Sequence, residues 1–210
     1  MKKYNRIQYI SSGETVNEQY INIVKILEAG GNWIQLRWKK EPNADFKLLA
    51  NQISELKKSY DFTYIINDHV SVAYQVDADG VHLGLDDLNI KHARLSLGPD
   101  KIIGGTCNTK EHVLQRIDEG CNYIGLGPCH FTTSKQKLSP ILGYEGYATI
   151  LNALGNRSDI PPIYAIGGIS TADLKPLSSL GVYGIAVSAL LSQHESPQCL
   201  LQQINLHYNG

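Results

Sequence analysis

Short apolar runs alternate with longer stretches of helical periodicity from one end of the chain to the other. "RIQYIS", "NWIQLRWK", "TYIIND", "GVHLGL", "KIIGGTC", "YIGLGPC", "PIYAIGG" and "YGIAVSAL" are brief and rich in β-branched and aromatic residues, the pattern of strands covered on both faces. Between them the period changes. In "VNEQYINIVKILEAG", Tyr20, Ile23, Val24 and Leu27 fall at i, i+3, i+4 and i+7, which predicts a helix with one buried stripe, closed by Gly30. "ADFKLLANQISELKKSY", "HVSVAYQVDA", "DLNIKHARLSLG" and "TKEHVLQRIDEG" predict further helices. Alternating strand and helix units imply a parallel sheet, and eight of them in 210 residues favour a closed (β/α)8 TIM barrel over an open doubly wound sheet. The expectation is therefore a single compact α/β domain spanning residues 1–210.

Several predicted strands end in glycine or a polar group: "IIND", "HLGLDD", "GGTCNT", "GLGP" and "AIGGIS". A barrel builds its active site at those ends. After the sixth strand comes "CHFTTSKQKLSPILG", long for a βα connection and so a candidate binding loop or lid.

Composition removes several classes of function. Lys plus Arg is 19 and Asp plus Glu is 20, a formal net charge of −1, so no broad positive field draws nucleic acid to the surface. The four cysteines, Cys107, Cys121, Cys129 and Cys199, include no C-x-x-C pair and are few for a chain of this length. They point to reduced thiols rather than a disulfide framework or structural zinc. The beginning of the chain is too polar for a secretory apolar stretch, and nothing approaches the ~18 unbroken apolar residues of a membrane span. A cytoplasmic protein is expected.

The chemistry starts with "IQLRWKK". As a strand it sends Gln35, Arg37 and Lys39 to one face and Ile34, Leu36 and Trp38 to the other. The apolar face belongs under the helices, which turns the polar face toward the barrel axis, and two cations there require an anion or acidic neighbours. Arg37 offers a planar fork for phosphate and Lys39 a movable point charge. Asn67 and Asp68 end the third strand, and Asp86 and Asp87 end the fourth, one of which can instead cap the next helix. Carboxylates converging on one mouth beside cations suit Mg²⁺ carrying a diphosphate, because this ion takes one or two carboxylates together with phosphate oxygens. "TTSK", Thr132 to Lys135, and the glycines Gly167 and Gly168 are candidate phosphate seats, the glycines alternatively an ordinary tight turn. His82, within a strand, reads as a hydrogen-bonded interior residue, while His130, in the long loop, lies where it can reach a substrate. Trp33 and Trp38 are expected to pack helix against strand. No nucleotide-binding glycine motif, zinc-protease motif or nucleophile–base arrangement stands out.

With these residues assembled, the chain resembles the thiamine phosphate synthase family. "QLRWK" is similar to its Q-L-R-x-K strand, "IINDHVSVAYQVDADGVHLGLDD" to its N-D to H-L-G-x-x-D segment, "YIGLGPCHFTTSK" to its G-x-G-P to T-x-[ST]-K loop, and "AIGGIS" to its G-G-[IV] turn. The resemblance runs from about Arg6 to Leu191 and implies a (β/α)8 barrel that joins a pyrimidine pyrophosphate to a thiazole phosphate, releasing pyrophosphate. It implies that Gln35, Arg37, Lys39, Asn67 and Lys135 hold the pyrimidine pyrophosphate, with Arg37 and Lys135 catalytic. It also implies that Asp68 and Asp87 bind Mg²⁺ and that Thr106 offers a hydroxyl to the same diphosphate. Thr132, Ser134, Gly168, Val187 and Ser188 would hold the thiazole phosphate. Trp38 stands in place of a usual acidic residue, Leu85 in place of a common Gln, and "GIAVSAL" is one residue shorter than the usual eighth-strand segment. The resemblance allows a homodimer and names neither nucleic acid nor membrane as a partner. Two alternatives remain open: a thiazole tautomerase-like isomerase, whose histidine falls where this chain has Pro128, and a non-catalytic barrel that binds phosphate ligands.

Overall fold

The computed structural model describes residues 4–38, 44–132, 139–155 and 157–208. The chain begins with β1 (Ile7–Ile10), α1 (Val16–Glu28), β2 (Trp33–Leu36) and α2 (Ala44–Glu55). It continues through β3 (Thr63–Asn67), α3 (Val70–Gln75), β4 (Gly80–Leu83), α4 (Ile90–Leu97), β5 (Ile102–Cys107) and α5 (Lys110–Asp118). β6 (Tyr123–Leu126), α6 (Gly143–Leu154), β7 (Ile163–Ile166), α7 (Leu174–Ser179), β8 (Gly184–Val187), α8 (Ala189–Ser192) and α9 (Pro197–Tyr208) complete it. The eight strands pair in sequence order, all parallel, and β8 closes onto β1 with Gln8 opposite Ala186. This is the (β/α)8 barrel the alternation predicts. α8 is a single turn, and the outer surface over the closure is covered by α9, which buries Leu200, Leu201, Ile204 and Tyr208.

The first helix begins where Thr15 accepts a hydrogen bond from the Glu18 N–H at 3.2 Å, satisfying a donor that has no partner within the helix. Its buried face is Gln19, Ile23, Ile26 and Leu27, whereas Tyr20 and Val24 are half-buried. The stripe is rotated relative to the periodic reading because the Gln19 side chain turns inward and donates to the Gly13 carbonyl at 3.0 Å. An amide that finds a carbonyl can be buried, and periodicity scores it as polar.

Side chains of the barrel divide by parity. Ile34, Leu36 and Trp38 join the layer beneath the helices, while Trp33 lies inside the barrel with Ile65, Ile102, Tyr123, Tyr164 and Ala186. Trp33 thus departs from the expected helix–strand role, sharing the face of Gln35 as strand alternation requires. Its ring meets Tyr123 at 5.0 Å and Tyr164 at 5.2 Å, both edge-on, the arrangement aromatic quadrupoles favour. Room for these rings comes from β5: a Cβ on Gly104 would lie 2.2 Å from the Tyr123 ring. The narrow interior is filled with rings at this level, and polar side chains lie on the way to the mouth.

Candidate active site

β2 ends at Leu36, and Arg37 follows as the backbone leaves the ladder. It is held there by Ser11, whose Oγ accepts from the Arg37 N–H at 2.9 Å and lies 3.4 Å from the Arg37 carbonyl. Burial lowers the guanidinium from its ordinary value, and the carboxylate of Asp68 acts in the opposite direction. The cation and the carboxylate tip of the next strand are therefore in electrostatic reach, as the sequence pattern requires.

Gln35, 2% exposed, donates to Asn67 Oδ1 at 2.8 Å, while its own Oε1 is buried with no hydrogen-bond partner. A buried amide oxygen left in this state costs ~1–3 kcal/mol. Asp68 then takes a left-handed conformation, φ 64°, and donates its N–H to the His82 carbonyl at 2.9 Å. Such backbone costs on the order of 1 kcal/mol for a residue with a Cβ and recurs at functional sites, where it re-aims a side chain.

Of the two adjacent carboxylates after β4, Asp87 turns back, its Oδ2 accepting from the Gly84 N–H at 2.6 Å. Neither Asp86 nor Asp87 caps the following helix, because Asn89 does, accepting from the Lys91 N–H at 2.8 Å. Gly84 is also held on its carbonyl side by Arg116, which donates to that oxygen at 2.7 Å and forms a buried ion pair with Glu119 at 2.6 Å. Sequence reasoning missed Arg116. In "QRIDEG" it looks like half of an ordinary surface pair, and only the fold shows the guanidinium reaching back to the loop that carries Asp87.

The long sixth loop has its feet fastened. Asn108, buried at the end of β5, donates to the carbonyls of Gly127 and Pro140, each at 2.9 Å, and Leu142 N–H donates to the Pro128 carbonyl at 2.9 Å. Thr132 is half-buried on the near side. Lys39, Ser134 and Lys135 lie outside the described residues. Gly168 has φ 67°, and a Cβ on it would fall 2.7 Å from the Phe131 carbonyl oxygen, so the turn after β7 and the first part of the loop are packed too closely for any side chain.

The same junction carries a network that the sequence did not announce. Asp173 is buried and accepts from Ser170 N–H and Oγ, each at 2.7 Å, from His130 Nε2 at 2.7 Å and from the Tyr144 hydroxyl. Burial works against its charged form, but these hydrogen bonds prevail and hold the carboxyl down at about 2. His130 donates to Asp173 and ties the loop to the base of α7. Because the folded pKa lies below the ordinary value, the network stabilises the protein above about pH 4 and that contribution fades as the pH falls toward 2. The shift from 3.8 corresponds to about 2 kcal/mol. Asp173→Asn is expected to lose about that much at pH 7, with the gap to the parent protein shrinking between pH 4 and pH 2 in urea titrations. A gap that stays constant over that range would deny the carboxylate its charged role.

A cavity of about 310 Å³ opens at the mouth among these pieces. Arg37 and Trp38 bound it on one side, Thr132, Gly167 and Gly168 on another, and Val187 and Ser188 close it at the end of β8. Ser11 and Ser12 after β1 also line it, a contribution that "YISSG" gave no reason to expect. Gln35, Asn67, Thr106 and the two carboxylates are not part of that lining. Thr106, 7% exposed, lies 3.0 Å from His82 Nε2, and His82 is the interior residue its strand position predicts. Burial pushes the Cys107, Cys121 and Cys129 thiols up, so they stay protonated, and all four cysteines are free. No helix among the described residues is long and apolar enough to cross a membrane.

A closed parallel barrel whose mouth cavity is lined by an arginine and a glycine turn after the seventh strand belongs to the class of barrel enzymes, which carry their active sites at that end. Comparison with known proteins narrows the class. Residues 8–191 match the family model described as thiamine monophosphate synthase. The thiamine-phosphate synthase of Flavobacterium psychrophilum is 51% identical over 202 residues, covering 96% of this chain and 98% of that protein. The thiamine-phosphate synthase of Bacteroides thetaiotaomicron is 39% identical over 198 residues, covering 94% and 95%. Among solved structures, the thiamine phosphate pyrophosphorylase from Pyrococcus furiosus superimposes with a TM-score of 0.79 at 27% identity, covering 97% of this chain and 95% of that one. The chain belongs to the thiamine monophosphate synthase family, and its activity is that of a transferase, thiamine-phosphate synthase.

Proposed function

We propose that this barrel couples 4-amino-5-hydroxymethyl-2-methylpyrimidine pyrophosphate to 4-methyl-5-(β-hydroxyethyl)thiazole phosphate, with the diphosphate held by Arg37, Asn67, Thr106, Lys39 and Lys135. The observation that carries the reading is one cavity with the Arg37 cation at one side and the Gly168 and Val187–Ser188 turns at another, two seats for anions within a single space. The orphaned Gln35 Oε1 supports it, since an aminopyrimidine brings the N–H donor that this oxygen lacks. Thr132, Ser134, Gly168, Val187 and Ser188 take the thiazole phosphate.

The donor set also fits magnesium. Asp68 and Asp87 offer hard carboxylate oxygens from adjacent strand ends, and among the described residues no group of three or more acidic, histidine or cysteine side chains competes for a metal. Two protein carboxylates leave coordination positions for phosphate oxygens and water, as Mg²⁺ prefers. Bound there, Mg²⁺ would supply charge neutralisation for the departing pyrophosphate.

The C–O bond to pyrophosphate breaks and the electron pair leaves with it, while the electron-rich aminopyrimidine stabilises the cationic carbon. The thiazole nitrogen then forms the new C–N bond. Arg37 and Lys135 meet the charge that grows on the leaving group, and the walls of the cavity hold the acceptor in line and keep water out. No protein nucleophile or strong base is needed, in keeping with protonated, buried thiols. A cytoplasmic location suits such an enzyme. Purified protein given both substrates and Mg²⁺ is expected to release thiamine phosphate and pyrophosphate in equal amounts. Binding of both without product would overturn the reading in favour of a ligand-binding barrel, and turnover of a thiazole carboxylate phosphate alone would favour an isomerase.

A further inference from the structure

Between the aromatic floor and the mouth, four buried polar side chains form a continuous chain. Gln8 Nε2 donates to the Tyr123 hydroxyl at 3.0 Å, that hydroxyl lies 3.0 Å from His82 Nδ1, and His82 Nε2 lies 3.0 Å from Thr106 Oγ1. Gln8, Tyr123, His82 and Thr106 are each 7% exposed or less. Counting donors favours one direction for the protons along this chain. Burial pushes the Tyr123 phenol up, so it keeps its proton. With one lone pair of that oxygen taken by Gln8, the phenol proton is satisfied when it goes to His82 Nδ1, and Nδ1 is then bare. The imidazole proton then sits on Nε2 and is donated to Thr106 Oγ1. A charged imidazolium would set a second donor against the phenol and strand the phenol proton in the interior, at a cost of ~1–3 kcal/mol. Thr106 accepts from below, and its own proton is left uncommitted to the interior.

We propose that Gln8, Tyr123 and His82 form a one-way donor relay that turns the Thr106 hydroxyl proton outward, onto an anionic oxygen of a bound diphosphate. This deepens the proposed function and rests on it, since it places the diphosphate at Thr106. Tyr123 and His82 are positioning residues in this scheme. They touch no substrate, and they decide whether Thr106 meets the anion as donor or as acceptor. Gly104 permits the arrangement, because a Cβ there would lie 2.7 Å from His82 Nδ1 as well as against the Tyr123 ring.

Two measurements on the whole protein test the relay. Long-range ¹⁵N–¹H correlation spectra of the parent protein should show His82 neutral with its proton on Nε2, and in Tyr123→Phe that preference should weaken or reverse. A proton on Nδ1 in the parent protein overturns the relay without the need for any variant. Calorimetric titration with inorganic pyrophosphate and Mg²⁺ gives the second arm. Thr106→Val should bind about 10-fold or more weakly, the worth of a hydrogen bond to a charged group. His82→Gln, whose amide nitrogen can stand where Nε2 stands, should retain affinity within a few-fold, whereas His82→Asn, which places its nitrogen near Nδ1, should match Thr106→Val. Adding Tyr123→Phe to Thr106→Val should cost no further affinity, a coupling that mere loss of packing would not produce. If Thr106→Val binds as tightly as the parent, the diphosphate is not at Thr106 and the relay falls with that reading. If Thr106→Val is weak but Tyr123→Phe binds normally, the site stands and the relay alone falls.

Discussion

Arg37→Ala is expected to reduce turnover by about 100- to 1,000-fold, the usual effect of removing one charge contact that strengthens as the transition state forms. The fold should survive. Arg37 is held by its backbone N–H on Ser11, a bond that truncation of the side chain leaves intact, and the guanidinium is only partly buried at an open mouth. The loss should fall mainly on kcat, since in the proposed reaction the contact would strengthen as charge gathers on the leaving pyrophosphate. Arg37→Lys should recover only part of it, because a point charge does not reproduce a planar fork. Steady-state kinetics beside a thermal melt separate these effects. Parent-like turnover from a well-folded Arg37→Ala protein would remove Arg37 from the site.

The largest loss of stability is expected from Trp33→Ala. Trp33 is 1% exposed and meets Tyr123 and Tyr164 edge-on inside the barrel, where the strands leave little freedom to collapse around a gap. Aromatic-to-alanine changes in such surroundings cost about 3–5 kcal/mol. The indole N–H is buried with no partner, so truncation breaks no hydrogen bond and the whole cost is packing. For the same reason Trp33→Phe should be mild, the lost area partly offset by removal of an unsatisfied donor. Guanidinium unfolding midpoints of the two variants give the comparison. A loss below about 1 kcal/mol in Trp33→Ala would show that the barrel repacks around the vacancy.

Much of the architecture was legible because two periods, strand and helix, alternate without interruption, and because the parity of "IQLRWKK" sorts one polar face from one apolar face. Trp33 is misplaced once parity is set aside: its character suggests the helix layer, and its place in the alternation puts it inside. The strand tips Asn67, Asp68 and Asp87 and the Gly167–Gly168 turn could be named from sequence because each sits next to a recognisable strand. Arg116, Asn108, Asp173 and Ser11 could not. Each acts on a backbone or side-chain group that is distant in sequence or reached by a turn whose course the sequence leaves open, and none belongs to a residue type that is unusual where it stands. Arg116 meets Gly84 across 32 positions, and Asp173 meets His130 across 43. Their roles exist only once the barrel has closed.

The rings of Trp33, Tyr123 and Tyr164 stopper the cylinder at one end, and this governs traffic. In the proposed reaction two reactants would come in and two products go out at the opposite end, so the four passages would form a queue. A molecule lodged toward the stopper would then leave after whatever lay above it.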